Sequence, residues 1–298
     1  MGSDLTLAII GCGNMGTAIL SGILASTTDT KSPSDSPISN IIATTKSQSS
    51  ADKLKSQLDN HPSPIKLSFH ANYATQAAES ADVVILGCKP YLVDEVLATP
   101  GLADALAGKL VISVIAGKPL DVLSEAITKN QKKEKTKETV ITRAIPNMAA
   151  SIRESSTLIE LPTNPSPSQS QTELINWIFS SIGTTKILPT ALFDCGSMLT
   201  ASLATLSVAV DGILDGCVAE GLKRSDAMDV TAQCLLGLGK LLQEGHHPAV
   251  LRESISSPRG CTIQGLLAVE EGGVRAAFAE SIVRGTGHLR RVQGKKEF

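Results

Sequence analysis

Short apolar runs alternate with helix-like stretches over the first two-thirds of the chain. Leu5–Ile10 (LTLAII), Asn40–Thr44, Ala81–Leu86 and Lys109–Val114 are near-continuous in apolar residues, the pattern of parallel strands covered on both faces. Val140–Ile145 reads the same way and stops at Pro146. Strands alternating with helices predict βαβ units and a doubly wound, Rossmann-like sheet. Three polar segments interrupt the pattern: Thr27–Ser39 is expected to be a surface loop, the charge-dense Lys129–Glu138 a solvated helix end or loop, and Pro162–Thr172 a flexible connection. The last of these leads into a helix and a short strand near Thr185–Leu188. Beyond Pro189 the period changes. Leu199, Leu203, Leu206, Val210, Ile213, Cys217 and Val218 recur at steps of three and four, one face of a long helix. Leu235, Leu238 and Leu242, then Leu266, Val269 and Phe278, continue the habit. The expected organisation is therefore an α/β domain over residues 1–189 and an all-α domain over 190–298. The helices carry much apolar surface for so small a domain, which points to burial against another subunit.

Composition narrows the function classes. The chain of 298 residues has 27 Lys plus Arg against 29 Asp plus Glu, a net charge of −2, with one Trp, two Tyr and five Phe. It lacks the basic field and stacking platforms of a nucleic-acid binder. The six cysteines are scattered, with no CxxC and no grouping with the five histidines. No metal site or disulfide framework is expected, and reduced thiols fit a cytoplasmic protein. Asp211, Asp215 and Glu220 interrupt the apolar stretch Leu199–Leu222, which argues against a membrane span.

The candidate chemistry begins at Gly11-Cys12-Gly13-Asn14-Met15-Gly16, directly after the first strand and before a helix expected to open near Thr17. In that context Gly11 permits the tight turn, Gly13 lets a pyrophosphate approach the backbone and Gly16 lets the helix pack on the sheet. Exposed amides at the helix start favour the phosphates. At the end of the second strand an Asp or Glu would select a free ribose 2′-hydroxyl. Here stand Thr44, Thr45 and Lys46, hydroxyls and a cation that suit a 2′-phosphate, so NADPH is expected over NADH.

In order along the chain, Ile9–Ile19 (IIGCGNMGTAI), Asp82–Pro90 (DVVILGCKP), Leu110–Gly117 (LVISVIAG), Ile145-Pro146-Asn147 and Ile255–Leu266 (ISSPRGCTIQGL) followed by Glu270 resemble the landmarks of the pyrroline-5-carboxylate reductase family. The resemblance runs along nearly the whole chain. It implies reduction of the cyclic imine (S)-1-pyrroline-5-carboxylate to L-proline by hydride from NAD(P)H, a step of proline biosynthesis. It also implies that Gly11, Cys12, Gly13, Asn14 and Met15 hold the pyrophosphate. Cys88, Lys89, Pro90, Ala116, Gly117 and Asn147 would line the nicotinamide and its ribose. The loop Ser257, Arg259, Gly260, Cys261 and Thr262 would bind the substrate carboxylate through backbone amides, with the Thr262 hydroxyl at the imine nitrogen. The C-terminal helices would interlock as a homodimer or larger homo-oligomer. A protonated imine is already electrophilic, so positioning, a hydride donor and one hydrogen-bonding group suffice.

Two departures bear on the substrate. Leu199–Leu203 (LTASL) replaces a Ser-Gly-Ser-Gly-Pro run at the start of the family's long helix, and Arg259 replaces the first glycine of Ser-Pro-Gly-Gly-x-Thr. If that backbone needs positive φ, Arg costs about 1 kcal/mol; its guanidinium either grips a carboxylate or points outward. These changes leave open an alkylated pyrroline as substrate, or a non-catalytic NADPH-binding regulator. Plain proline formation is the preferred expectation. The β-hydroxyacid dehydrogenases and related imine reductases share a Gly-x-Gly-x-Met-Gly loop but need an interdomain lysine. Leu199–Leu222 contains none.

Overall fold

Strand β1 (Leu5–Ile10) lies inside an eight-stranded sheet of order β3-β2-β1-β4-β5-β6-β7-β8. The computed structural model describes residues 4–29, 36–132 and 138–293. The remaining sheet members are β2 (Ile38–Thr45), β3 (Lys66–Ala71), β4 (Val83–Leu86), β5 (Leu110–Ser113), β6 (Val140–Ile145), β7 (Ser155–Glu160) and β8 (Gly183–Ile187). All pairings are parallel except β6 with β7. The helices between them are α1 (Asn14–Asp29), α2 (Gln48–Leu58), α3 (Ala74–Ser80), α4 (Val93–Leu97), α5 (Leu102–Ala105), α6 (Leu120–Asn130) and α7 (Gln169–Ser180). With α8 (Thr190–Thr200) and residues 288–293 they form one compact unit.

The continuous apolar strands have the physical cause the pattern implied. Leu7 and Ile9 of β1 and Val83 and Ile85 of β4 enter one core with Ile19, Leu20, Ile23, Ile178 and Phe179. Their neighbours Ala8, Ile10, Val84 and Leu86 enter a second core on the other face with Val93, Leu97, Leu106 and Leu123. Each fully buried Leu, Ile or Val contributes about 1.5–3 kcal/mol, and alternation along a strand supplies both layers.

Several boundaries differ from expectation. Helix α1 opens at Asn14 rather than near Thr17, because the Thr17 amide already donates to the Gly13 carbonyl at 2.8 Å. The segment 27–39 is not all loop: α1 continues to Asp29 and β2 starts at Ile38. Residues 30–35 of that segment, and 133–137 of the charge-dense one, lie outside the described residues. Helix α7 begins inside the expected connection 162–172, where Ser168 and Gln171 form a capping box. Strands β3 and β7 were not anticipated. As an edge strand, β3 carries one polar and partly exposed face (KLSFHA), so its apolar signal is weak.

The second unit, residues 201–287, is all-helical: α9 (Ser202–Ala219), α10 (Arg224–Gln243), α11 (Pro248–Ser254), α12 (Cys261–Glu271) and most of α13 (Val274–Val292). The expected long helix is broken at Ala201 into α8 and α9, within the altered LTASL run. Between residues 201 and 287 the only buried hydrophobic side chains are Leu214 and Ala227. Most of the apolar face read from the sequence is exposed in this chain, with Leu199, Leu203, Leu206, Ile213 and Val218 all open. By length and hydropathy alone, residues 190–219 are sufficient to cross a membrane; the exposed acids Asp211 and Asp215 fall within them.

Candidate active site

The strand order places β1 next to both β2 and β4, so successive strands build outward in opposite directions from β1, the switch point at which parallel sheets open a ligand crevice. The crevice is present as a cleft of about 490 Å³ lined by Gly11, Cys12, Gly13, Thr44, Thr45, Lys46, Cys88 and Lys89. These are eight of the residues singled out in the sequence.

The three glycines have distinct reasons. Gly11 has φ of 81°, and a Cβ there would stand 2.8 Å from the Cys88 nitrogen, so the turn and the close passage of the next strand both demand glycine. At Gly16 a Cβ would meet Ile9 and Cys12, the helix–sheet contact. At Gly13 nothing lies within 4 Å; its open side faces the approach a pyrophosphate needs. The amides of Gly11 and Cys12 both donate to the Thr44 carbonyl, at 3.1 and 2.7 Å. The first bond of helix α1 runs from the Thr17 amide to the Gly13 carbonyl. The amides of Asn14, Met15 and Gly16 precede it and are the orphan donors of the helix start. A dinucleotide therefore fits this cleft.

Individual residues contribute unequally. Cys12 is buried and its thiol is pushed up to about 12 by burial, partly offset by a hydrogen bond with Thr17, so it acts as a packing group. The Met15 side chain packs against the core, which leaves its amide as the part available to a ligand. Thr44 and Thr45 were expected to offer hydroxyls to a 2′-phosphate. Both are buried, and the Thr45 hydroxyl donates to the Ser47 carbonyl at 2.9 Å. Both still line the cleft, and Lys46 is the exposed cation beside them. Lys46 pairs with Glu95 at 3.1 Å. Such an exposed pair is worth about 0–1 kcal/mol, so it leaves the ammonium available to an anion.

Further along the same sheet edge, Cys88 is half-buried and its thiol is pushed up to about 11 by burial, with Lys118 opposing. The Lys89 ammonium lies 5.9 Å from the Tyr91 ring centre, and Pro90 opens a short 3₁₀ turn. Ala116 and Gly117 follow β5, Gly117 with φ of 75°. Asn147 follows β6, where its side chain caps a 3₁₀ turn by accepting from the Ala149 amide at 3.1 Å. Asn14, Met15, Pro90, Ala116, Gly117 and Asn147 lie outside the lining of the cleft itself. Conversely, Asn72, Tyr73 and Glu95 line it and were not foreseen. Asn72 has φ of 52°, a turn that asparagine tolerates, and Tyr73 stacks on His70 with ring centres 4.4 Å apart. They depend on β3, and missing that strand hid them.

In the helical unit the segment Ser257–Thr262 opens α12. Arg259 has φ of 61°, the left-handed conformation for which glycine is the usual residue. The Gly260 amide donates to the Ser257 carbonyl at 3.0 Å. A Cβ at Gly260 would sit 2.5 Å from the Ser257 hydroxyl and 3.1 Å from the Ser257 carbonyl, so a larger residue there would have to turn the Ser257 side chain away. Gly260 is the N-cap and supplies no side-chain cap. The amides of Cys261, Thr262 and Ile263 are therefore left for an external acceptor, at the positive end of the helix dipole. Ser257, Arg259 and Cys261 are exposed and Thr262 half-exposed.

Two family models match the chain, "Pyrroline-5-carboxylate reductase dimerisation" over residues 191–291 and "NADP oxidoreductase coenzyme F420-dependent" over 6–117. A pyrroline-5-carboxylate reductase of Lophium arboricola is 40% identical, with 96% of this chain and 92% of that protein covered. One of Neurospora crassa is 39% identical, covering 95% and 92%. The fold matches a Plasmodium falciparum pyrroline carboxylate reductase solved with NADP bound, with TM-score 0.77, 19% identity and coverage of 98% and 100%. With 40% identity sustained over almost its whole length, the chain belongs to the pyrroline-5-carboxylate reductase family, and it is an NAD(P)H-dependent oxidoreductase of the CH–NH class.

Proposed function

We infer that the protein reduces (S)-1-pyrroline-5-carboxylate to L-proline with NADPH, and that residues 1–189 serve the dinucleotide while 190–298 serve substrate and dimer formation. The observation that carries the reading is the start of α12. Uncapped amides suited to a carboxylate stand beside the Thr262 hydroxyl, in a chain 40% identical to a named reductase. NADPH supplies the hydride when bound. The amides of Cys261, Thr262 and Ile263 hold the substrate carboxylate, and the Ser257 turn keeps them in place. The Thr262 hydroxyl accepts a hydrogen bond from the protonated ring nitrogen and so fixes the orientation of the imine carbon. The proton on nitrogen comes from water before binding, so no buried acid is required. Exposed Lys46 and the absence of an acid at the end of β2 support the phosphorylated cofactor.

The helical unit supports a homo-oligomer. It buries only two hydrophobic side chains of its own between residues 201 and 287, and the family model that covers it is named for dimerisation. A second copy gives the apolar run 190–219 a protein partner. The six free cysteines fit a reducing compartment, here the cytoplasm.

The test follows NADPH absorbance with racemic pyrroline-5-carboxylate. We expect Thr262→Ala to lower kcat/KM by about 10–100-fold, the value of one transition-state hydrogen bond, with NADPH affinity unchanged. NADPH binding without turnover of the plain imine would transfer the reading to a ring-substituted pyrroline or to a regulator.

A further inference from the structure

We propose that a second pocket, beside the buried Arg143–Glu160 pair, binds a small α-amino acid as its zwitterion. The pocket, about 380 Å³, is lined by Asp121 and Ser124 of α6, Asn164 and Thr190, with Arg143 and Glu160 as charged members. Its size falls in the range of small-molecule sites. Arg143 and Glu160 are directly opposed on the antiparallel strands β6 and β7, and each is only 1% exposed. Nη1 of Arg143 donates to Oε2 of Glu160 at 2.9 Å, and the guanidinium lies 4.5 Å from the Phe193 ring centre. Nε and Nη2 of Arg143 and Oε1 of Glu160 have no partner.

Buried charges left half-satisfied are costly, and these unused atoms share one chemistry. Nε–H and one Nη2–H form a single edge of the guanidinium, with the parallel donors that take a carboxylate bidentately. Oε1 is an acceptor for an ammonium hydrogen. The ion pair is neutral as a whole, so a ligand that carries both charges satisfies all three atoms without adding net charge. A carboxylate alone or an amine alone does not. Both side chains are nearly fully covered and form part of the pocket lining. The pocket lies within the α/β unit and involves none of the residues assigned to the cofactor or to the α12 loop.

Titration calorimetry of the full chain, without cofactor or substrate, tests the site with L-alanine and L-serine, and with acetate and ethylammonium as half-ligands. We expect one equivalent of either amino acid to bind and neither half-ligand to do so. Ser124→Trp, an exposed change at the mouth, should weaken binding by about tenfold or more and leave imine reduction unaltered. The double variant Arg143→Met/Glu160→Leu, which replaces the pair with apolar groups and leaves no lone buried charge, should also lose binding. Absence of heat with both amino acids would mean the pocket holds water only and would overturn the proposal. Equal binding of acetate would overturn the zwitterion requirement, and undiminished binding to Ser124→Trp would place the amino acid elsewhere.

Discussion

Arg259 holds the left-handed backbone that its family fills with glycine, and its φ of 61° turns a sequence oddity into a measurable cost. Arg259→Gly is expected to stabilise the fold by about 0.5–1 kcal/mol, the strain relieved less the added flexibility of the unfolded chain. Urea or thermal unfolding checks it; a loss of stability would mean that the guanidinium makes a stronger contact than the strain it imposes. Cys12 gives a second residue-level prediction. Burial raises its thiol to about 12, so the thiolate stays unpopulated below that pH, and reactivity should rise only toward strongly alkaline conditions. Iodoacetamide at pH 8 should spare Cys12 and modify exposed Cys261, read by peptide mass spectrometry. The glycine pattern was legible in the sequence, because it depends on a local turn and helix start, whereas Thr262 was singled out through the resemblance to the family. The burial of Thr44 and Thr45 was not legible, since it depends on strands distant in sequence.

At the scale of elements, α1 works because it lies close to its neighbours. A Cβ on Gly22 would stand 2.2 Å from Ile182 Cγ2 and 3.2 Å from the Ser181 carbonyl, at the end of α7. Gly22→Ala should therefore cost about 1–3 kcal/mol through overpacking, despite alanine's better helix propensity. Denaturant unfolding would show it as a lower midpoint, and an unchanged midpoint would mean that α1 and α7 separate freely. The sequence marked six of the eight strands and missed β3, at the sheet edge, and β7, an interior strand whose Ser155, Ser156, Thr157 and Glu160 break the apolar run. An edge strand with polar positions lacks the apolar continuity on which such a reading depends, and with β3 went Asn72 and Tyr73 of the cleft.

For the whole molecule the controlling fact is that the helical unit does not bury its own apolar surface. Val208, 71% exposed on α9, should lie in a subunit interface. Val208→Asp is expected to shift the protein to monomer in light-scattering chromatography and to reduce turnover with it. A variant that remains oligomeric would move the interface to another face. The Arg143–Glu160 pair and its pocket belong to this scale too, since they join strands, α6 and the start of α8.

Local features of the sequence determined the strand–turn–helix phosphate loop, the two-sided core and the change to helical periodicity after Pro189. Each is written in spacings of a few residues, where backbone sterics and hydrophobic period act directly. Tertiary structure alone decided which residues meet across the cleft, that β7 runs antiparallel to β6, that two threonines of the cleft are mostly covered, and that Arg143 and Glu160 share one buried site. These are contacts between segments far apart in the chain, and no local spacing encodes them.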